Sequence, residues 1–178
     1  MPAPFSFTIT HRMPQTLART GVIHTPHGDI KTPAFIVVGT KANVKAMVPE
    51  MVASVGAQAV LANAYHLYLQ PGHKLIEKAG YLGKFMHWSG PTFTDSGGFQ
   101  VLSLGSGFKK VLAMSTDVDE EIAIAKKSSR HAWVDDNGVM FKSHLDGSLH
   151  KFTPELSMQI QAGIGADITF AFDELTSL

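Results

Sequence analysis

"AQAVLANAYHLYLQPGHKLIEKAGYLGKFMHWSGPTFTD", residues 57–95, decides the fold. It opens on a short apolar run, AQAVLAN (57–63), of the length and composition of a buried strand. PGHKLIEKAG (71–80) follows, with Pro71 near the start and Gly80 after the end of a helical pattern. PTFTD (91–95) closes the stretch as a second strand, ending on a carboxylate. Apolar strand, helix and apolar strand in this order predict a parallel pair joined by a helical crossover.

The same rhythm runs outward from this stretch. Upstream, FSFTIT (5–10) alternates as a strand, and GVIHTPHGDIKTPAFIVV (21–38) reads as an antiparallel hairpin turning near His27-Gly28-Asp29. A buried strand at 34–38 follows it, and VPEMVASVG (48–56) reads as a short helix with a glycine stop. Downstream, TPELSMQIQAGIG (153–165) predicts a helix with Thr153 as N-cap and Pro154 in its first turn. ADITFAFDE (166–174) predicts a strand buried on both faces. Strands near residues 36, 60, 93 and 170, each joined to the next through helix, give an α/β chain with a parallel sheet. Two stretches interrupt the rhythm. Residues 105–138 read as an atypical insertion mixing charge runs with a candidate amphipathic helix, and VMFKSHLDGSLHKFT (139–153) as a hairpin turning at Asp146-Gly147. The whole chain, 1–178, is expected to form one domain.

Composition bounds the function. Hydrophobic residues make up 44% and charged residues 17%, the mix of a chain with a packed core. No apolar run reaches the roughly 18 residues of a membrane helix, and the N-terminus lacks the pattern of a signal peptide. Cysteine is absent, so neither disulfides nor a thiolate metal site are expected, and a cytoplasmic location fits. The histidine pairs His24/His27 and His144/His150 are not at convincing ligand spacings. Net charge is zero but uneven. Residues 1–94 hold 8 Lys+Arg against 3 Asp+Glu, and residues 95–178 hold 7 against 12. A basic face on the first part would suit phosphate backbones, although mixed surfaces also segregate by chance.

Polar residues stand at the carboxyl end of each expected strand: Val38-Gly39-Thr40, Asn63-Ala64-Tyr65-His66, Asp95-Ser96-Gly97-Gly98 and Asp173-Glu174. Ligands of parallel α/β folds bind beyond these ends, so the four point to one site. In DSGGFQ (95–100), two readings of Asp95 fit: a carboxylate facing a ligand, or a cap on the following turn. Gly97 and Gly98 let the backbone turn sharply and a ligand lie against main-chain N–H groups. Phe99 suits a flat ligand, and Gln100 suits either a hydrogen bond to it or bracing of the loop. Asp173 is likewise either paired within the fold or reserved for a hydrogen-bond donor. Two strand-end carboxylates also suit a glycoside hydrolase, but saccharide clefts usually need several aromatic platforms and only Phe99 stands out near the site.

The blocks TPAFIVVGT, ANAYHLYLQPG, TDSGGFQVLSLG, FKSHLDGSLHKFTPE and GADITFAFDE stand in the order and rough spacing of tRNA-guanine transglycosylases, also called queuine tRNA-ribosyltransferases. The chain resembles the bacterial form of that family along nearly all its length, residues 105–138 excepted. The resemblance implies a TIM-type (β/α)8 barrel with insertions, of which this chain would form roughly the first half. It would contain about four βα units, an N-terminal antiparallel hairpin and an inserted hairpin. It also implies exchange of the guanine at the anticodon wobble position of a tRNA for a 7-deazaguanine base, through a covalent enzyme–tRNA intermediate.

Carried over by motif, Asp95 resembles the general acid/base and Asp173 the carboxylate that reads the guanine edge. Ser96, Gly97, Gly98, Phe99 and Gln100 would line the base pocket, together with Val38, Gly39 and Asn63. The family's aspartate nucleophile and its structural zinc, held by Cys and His, are expected beyond Leu178, so no cofactor is expected in this chain. The full-length enzyme is expected to be a homodimer and this chain alone inactive. The alternative is a non-catalytic tRNA- or base-binding short paralogue, or one half of a split enzyme.

Overall fold

The computed structural model describes residues 5–101 and 132–173. The expected candidate helix within 105–131 and the placement of Glu174 lie outside the described residues. The chain divides into two compact units. The first takes residues up to Asp95 together with Ile160–Phe170, and the second takes Ser96–Gln159 together with the residues from Ala171 on.

The first unit begins with an antiparallel three-stranded sheet, β1 (Ser6–Arg12), β2 (Arg19–Thr25) and β3 (Gly28–Thr32). The β2–β3 hairpin is as predicted, with its turn one residue earlier: Thr25 pairs with Gly28, which leaves Pro26 and His27 as the loop. Gly28 has φ +129°, a value an L side chain rarely adopts. A parallel sheet follows, β4 (Val37–Val38), β5 (Val60–Ala62), β6 (Thr92–Thr94) and a last strand, Ile168–Thr169, that becomes β10 in chain order. Its spatial order is β10-β6-β5-β4. Register pairs Val38 with Leu61, Leu61 with Phe93 and Phe93 with Ile168, which places these four on one face. Leu61, Phe93 and Ile168 pack with Ile23, Ile30, Ile36 and Ala59, so the antiparallel sheet covers that face. Val60, Ala62, Thr92 and Thr94 lie on the other face and are buried beside the helices.

Those helices are α1 (Pro49–Ser54), α2 (Ala64–Leu69), α3 (His73–Lys78), α4 (Tyr81–Phe85) and α5 (Pro154–Ile164), of which Ile160 onward belongs to the first unit. The expected helix at 71–80 is the shorter α3, bounded by Gly72 at φ +100° and Gly80 at φ +91°. The flanking α2 and α4 were not expected. Each buries apolar residues, Ala64, Tyr65 and Leu67 in α2 and Leu82 in α4, but each is too short to show a helical period.

Two expected buried strands need correction. Only Val37–Val38 of 34–38 is strand, and Phe35 is 81% exposed. Only Ile168–Thr169 of 166–174 is strand, and Phe170 is 48% exposed. Both lie at edges of the parallel sheet, where among the described residues each has one neighbour strand.

The second unit carries β7 (Ala132–Asp135), β8 (Gly138–Lys142) and β9 (Leu149–Phe152), antiparallel in that order, and the start of α5. The predicted hairpin is β8–β9, with Gly147 at φ +75° in its loop. β7 falls within the expected insertion and pairs with β8 across an Asp136-Asn137 turn, where Asn137 N–H donates to Asp135 Oδ1 at 2.8 Å. Phe141 and Phe152 pack there with ring centroids 5.8 Å apart. Thr153 caps α5 as predicted, its Oγ1 accepting from Leu156 N–H at 3.2 Å, with Pro154 at the first helical position.

Candidate functional site

Val38, Gly39, Asn63 and Asp95 fall in the first unit, and Ser96, Gly97, Gly98, Phe99, Gln100 and Asp173 in the second. The structure brings them together as two groups.

The first group centres on Asp95, at the carboxyl end of β6. Its Oδ2 accepts a short hydrogen bond from Asn63 Nδ2, and its Oδ1 accepts from Ala64 N–H at 2.8 Å. Asn63 sits at the N-cap of α2, yet its side chain makes no cap bond, and the carboxylate meets the first N–H of the helix instead. β5 and β6 are parallel neighbours, so their ends, Asn63 and Asp95, emerge side by side. Burial pushes the Tyr65 phenol up, which keeps it neutral beside this group. Gly39 N–H donates to Leu61 O at 2.7 Å, which aligns the end of β4 with β5. A Cβ on Gly39 would come within 3.1 Å of the Asn43 backbone, so the loop closes only around a glycine.

The second group centres on Asp173, whose residue is exposed. Its Oδ1 accepts a short hydrogen bond from Ser96 Oγ. The same Ser96 Oγ accepts from Gly98 N–H at 3.2 Å, so the serine caps the DSGG turn. Gly97 has φ +79°, the left-handed value the turn demands, and helix begins at Gly98. A Cβ on Gly98 would stand 2.8 Å from Asp173 Oδ1 and 3.0 Å from its carbonyl oxygen. Ser96 is buried, and its carbonyl accepts from Ser157 Oγ of α5 at 2.6 Å. Phe99 is 41% exposed.

Three polar side chains, two on α5 and one just before β10, were not foreseen. Gln161, fully buried on α5, donates from Nε2 to Phe170 O at 2.9 Å and accepts at Oε1 from Phe170 N–H at 3.2 Å and Thr94 Oγ1 at 3.0 Å. Its amide thus pairs with β10's exit as a neighbouring strand would. Asp167, at the opposite end of the sheet, accepts from Thr92 N–H at 2.9 Å and Thr92 Oγ1 at 3.0 Å and pairs with His27 at 2.6 Å. Ser157 is the third. The sequence signal for all of them is weak: each resembles an ordinary surface polar residue until its partner is known.

Among the described residues no cluster of three or more His, Cys, Asp or Glu is placed to hold a metal ion. The chain also has no cysteine, so the residues present do not fit a Cys/His zinc site. No helix among the described residues is long and apolar enough to cross a membrane. Chemically, the two groups offer one carboxylate engaged at both oxygens and one held at a single oxygen. An ionised carboxylate has about four acceptor directions, so Asp173 retains acceptor capacity beyond its serine.

Comparison with known proteins gives a consistent result. The model of the queuine tRNA-ribosyltransferase family matches residues 15–178. A queuine tRNA-ribosyltransferase of Pelotomaculum thermopropionicum is 48% identical over 169 residues, covering 95% of this chain and 39% of that protein. One of Roseiflexus sp. is 48% identical over 170 residues, covering 96% and 41%. One of Moorella thermoacetica is 48% identical over 174 residues, covering 98% and 40%. The chain therefore spans about two-fifths of the length of the curated relatives it matches. With its parallel α/β sheet and a family match over residues 15–178, the chain belongs to the queuine tRNA-ribosyltransferase family.

Proposed function

We propose that this chain supplies the base-binding part of a tRNA-guanine transglycosylase, with its parallel strands the first of a TIM-type barrel. The single observation that carries the reading is the Ser96–Gly98–Asp173 arrangement: an exposed carboxylate oriented by a buried hydroxyl against a glycine. A carboxylate so held accepts two parallel N–H bonds, from N1–H and the exocyclic amine of guanine. Phe99 stacks on the base, and Gly97, Gly98 and Gln100 line its edge. Val38, Gly39 and Asn63 line the approach to Asp95.

Asp95 handles the proton in the exchange. Both its oxygens carry donors, from Asn63 Nδ2 and Ala64 N–H, so a proton is taken or given on the lone pairs these leave open. Displacement at ribose C1′ needs a nucleophile, which the reading assigns to a segment outside this chain. The substrate is a tRNA with guanine at the wobble position, and the incoming base is a 7-deazaguanine. The complete enzyme is a cytoplasmic homodimer.

The test is direct. The purified chain is expected to bind free guanine by calorimetry and to leave radiolabelled guanine unincorporated into tRNA. Incorporation by the chain alone would overturn the assignment of the nucleophile elsewhere, and absence of guanine binding would overturn the base-binding role.

A further inference from the structure

Ser157 stands four residues into α5 and is wholly buried. A helical serine ordinarily turns its hydroxyl to solvent or back onto the preceding turn. Here Ser157 Oγ donates at 2.6 Å to the carbonyl of Ser96, 61 residues earlier in the chain. That carbonyl belongs to the residue whose own hydroxyl donates to Asp173 Oδ1 and accepts from Gly98 N–H. All four residues lie in the second unit.

From this sequence of contacts we infer that Ser157 is a positioning residue for Asp173, acting through the backbone of Ser96. The inference rests on the guanine-reading role proposed for Asp173. A serine hydroxyl has one proton, so Ser96 holds Asp173 only while its Cα–Cβ bond points the proton at Oδ1. Fixing the Ser96 carbonyl fixes its peptide plane and hence that direction. A Cβ at Gly98 would stand 2.8 Å from Oδ1, so the missing side chain lets the turn lie this close to the carboxylate. The Ser157 hydroxyl, the Ser96 peptide plane, the buried Ser96 hydroxyl and the carboxylate form a short relay that ends at the atoms meeting the base. Without it the carboxylate still binds, but with a spread of orientations, and a two-point contact suffers more from such a spread than a one-point contact.

The test uses two bases and two variants in the 178-residue chain. Guanine presents N1–H and an exocyclic amine to a carboxylate, whereas hypoxanthine presents N1–H alone. Ser157→Ala is expected to weaken guanine binding about fivefold and hypoxanthine binding much less, so the preference narrows. Ser157→Thr, which keeps a hydroxyl, is expected to restore it. Loss of fold stability alone would weaken both bases alike. In the same samples without base, NMR follows the Gly98 amide proton and the Asp173 carboxyl carbon. Both are expected to move in Ser157→Ala and to return in Ser157→Thr. If neither moves, or if the base preference is unchanged in Ser157→Ala, the inference is overturned. If both move while the unaltered chain does not distinguish the bases, the guanine reading falls and the positioning of Asp173 by Ser157 stands.

Discussion

Asp95 follows directly on β6 and Asp173 stands four residues beyond the end of β10, and they are held in opposite ways. Asp95 is half-buried, with an amide on one oxygen and a helix N–H on the other. Asp173 is exposed and takes one hydroxyl on one oxygen. A carboxylate engaged at both oxygens is fixed from two sides and has fewer acceptor directions to spare. One engaged at a single oxygen is oriented and still able to accept. On the proposed reading, the contrast separates a group that handles a proton on demand from one that reads a ligand at rest.

The largest effect that would break this contrast lies at Asp173. Asp173→Asn exchanges one acceptor for a donor facing the N–H edge of guanine. It is expected to weaken guanine binding by about 2 kcal/mol, roughly thirtyfold. Calorimetry that finds the two affinities equal would make Asp173 a structural group and remove the contrast.

A smaller effect is expected at Asn63. Asn63→Ala strips one donor from Asp95 and leaves Ala64 N–H in place. It should cost about 1 kcal/mol of stability and lower the melting temperature by roughly 2–4 °C, while guanine affinity changes less than in Asp173→Asn. A variant that melts with the parent would mean that the Asn63 contact does not secure Asp95.

The smallest effect sharpens the comparison with a third carboxylate. Asp146, in the β8–β9 loop, is also held by a serine: its Oδ1 accepts from Ser148 Oγ at 2.6 Å and from Ser148 N–H at 3.1 Å. The hydroxyls of Ser148 and then Ser143 hold its carboxyl down at about 2, below the ordinary 3.8. A folded value below the unfolded one stabilises the loop at pH above 3.8, and this hold is lost as pH falls toward 2. Ser148→Ala should bring the titration of Asp146 up toward its ordinary value, read from the carboxyl carbon by NMR. A midpoint still near 2 would show that the serine hydroxyl is not what holds it.

The parallel order of the sheet was legible because short apolar runs punctuated by Pro and Gly, such as AQAVLAN and PTFTD, have few other uses. Asp95 was legible as the carboxylate where β6 gives out, whereas the strand expected to end at Asp173 stops at Thr169. Lengths of the outer strands were not legible. TPAFIVV and ADITFAF read as buried, and whether such a run is covered depends on which neighbours pack over it, not on its own residues. The β7 strand was hidden because its Asn137-Gly138 signal fell inside a stretch read as an insertion. Ser157, Gln161 and Asp167 were hidden for another reason. Their partners lie 61, 67 and 75 residues away, at Ser96, Thr94 and Thr92, and no local pattern encodes a hydrogen bond across such a separation.

The knot at Asp167 has a consequence for the making of the protein. Its carboxylate ties Thr92 at the head of β6 to His27 in the first hairpin. The first unit is thus written in two instalments, with Ser96–Gln159 of the second unit set between them. At the roughly 5–20 residues per second of synthesis, Ile160 follows Asp95 from the ribosome by about 3–13 s. For that interval the nascent sheet waits with β6 on its rim and the buried seat for Asp167 vacant. The larger part of the second unit, Ser96–Gln159, is translated before the first can be completed, and its last residues, from Ala171 on, follow only afterwards.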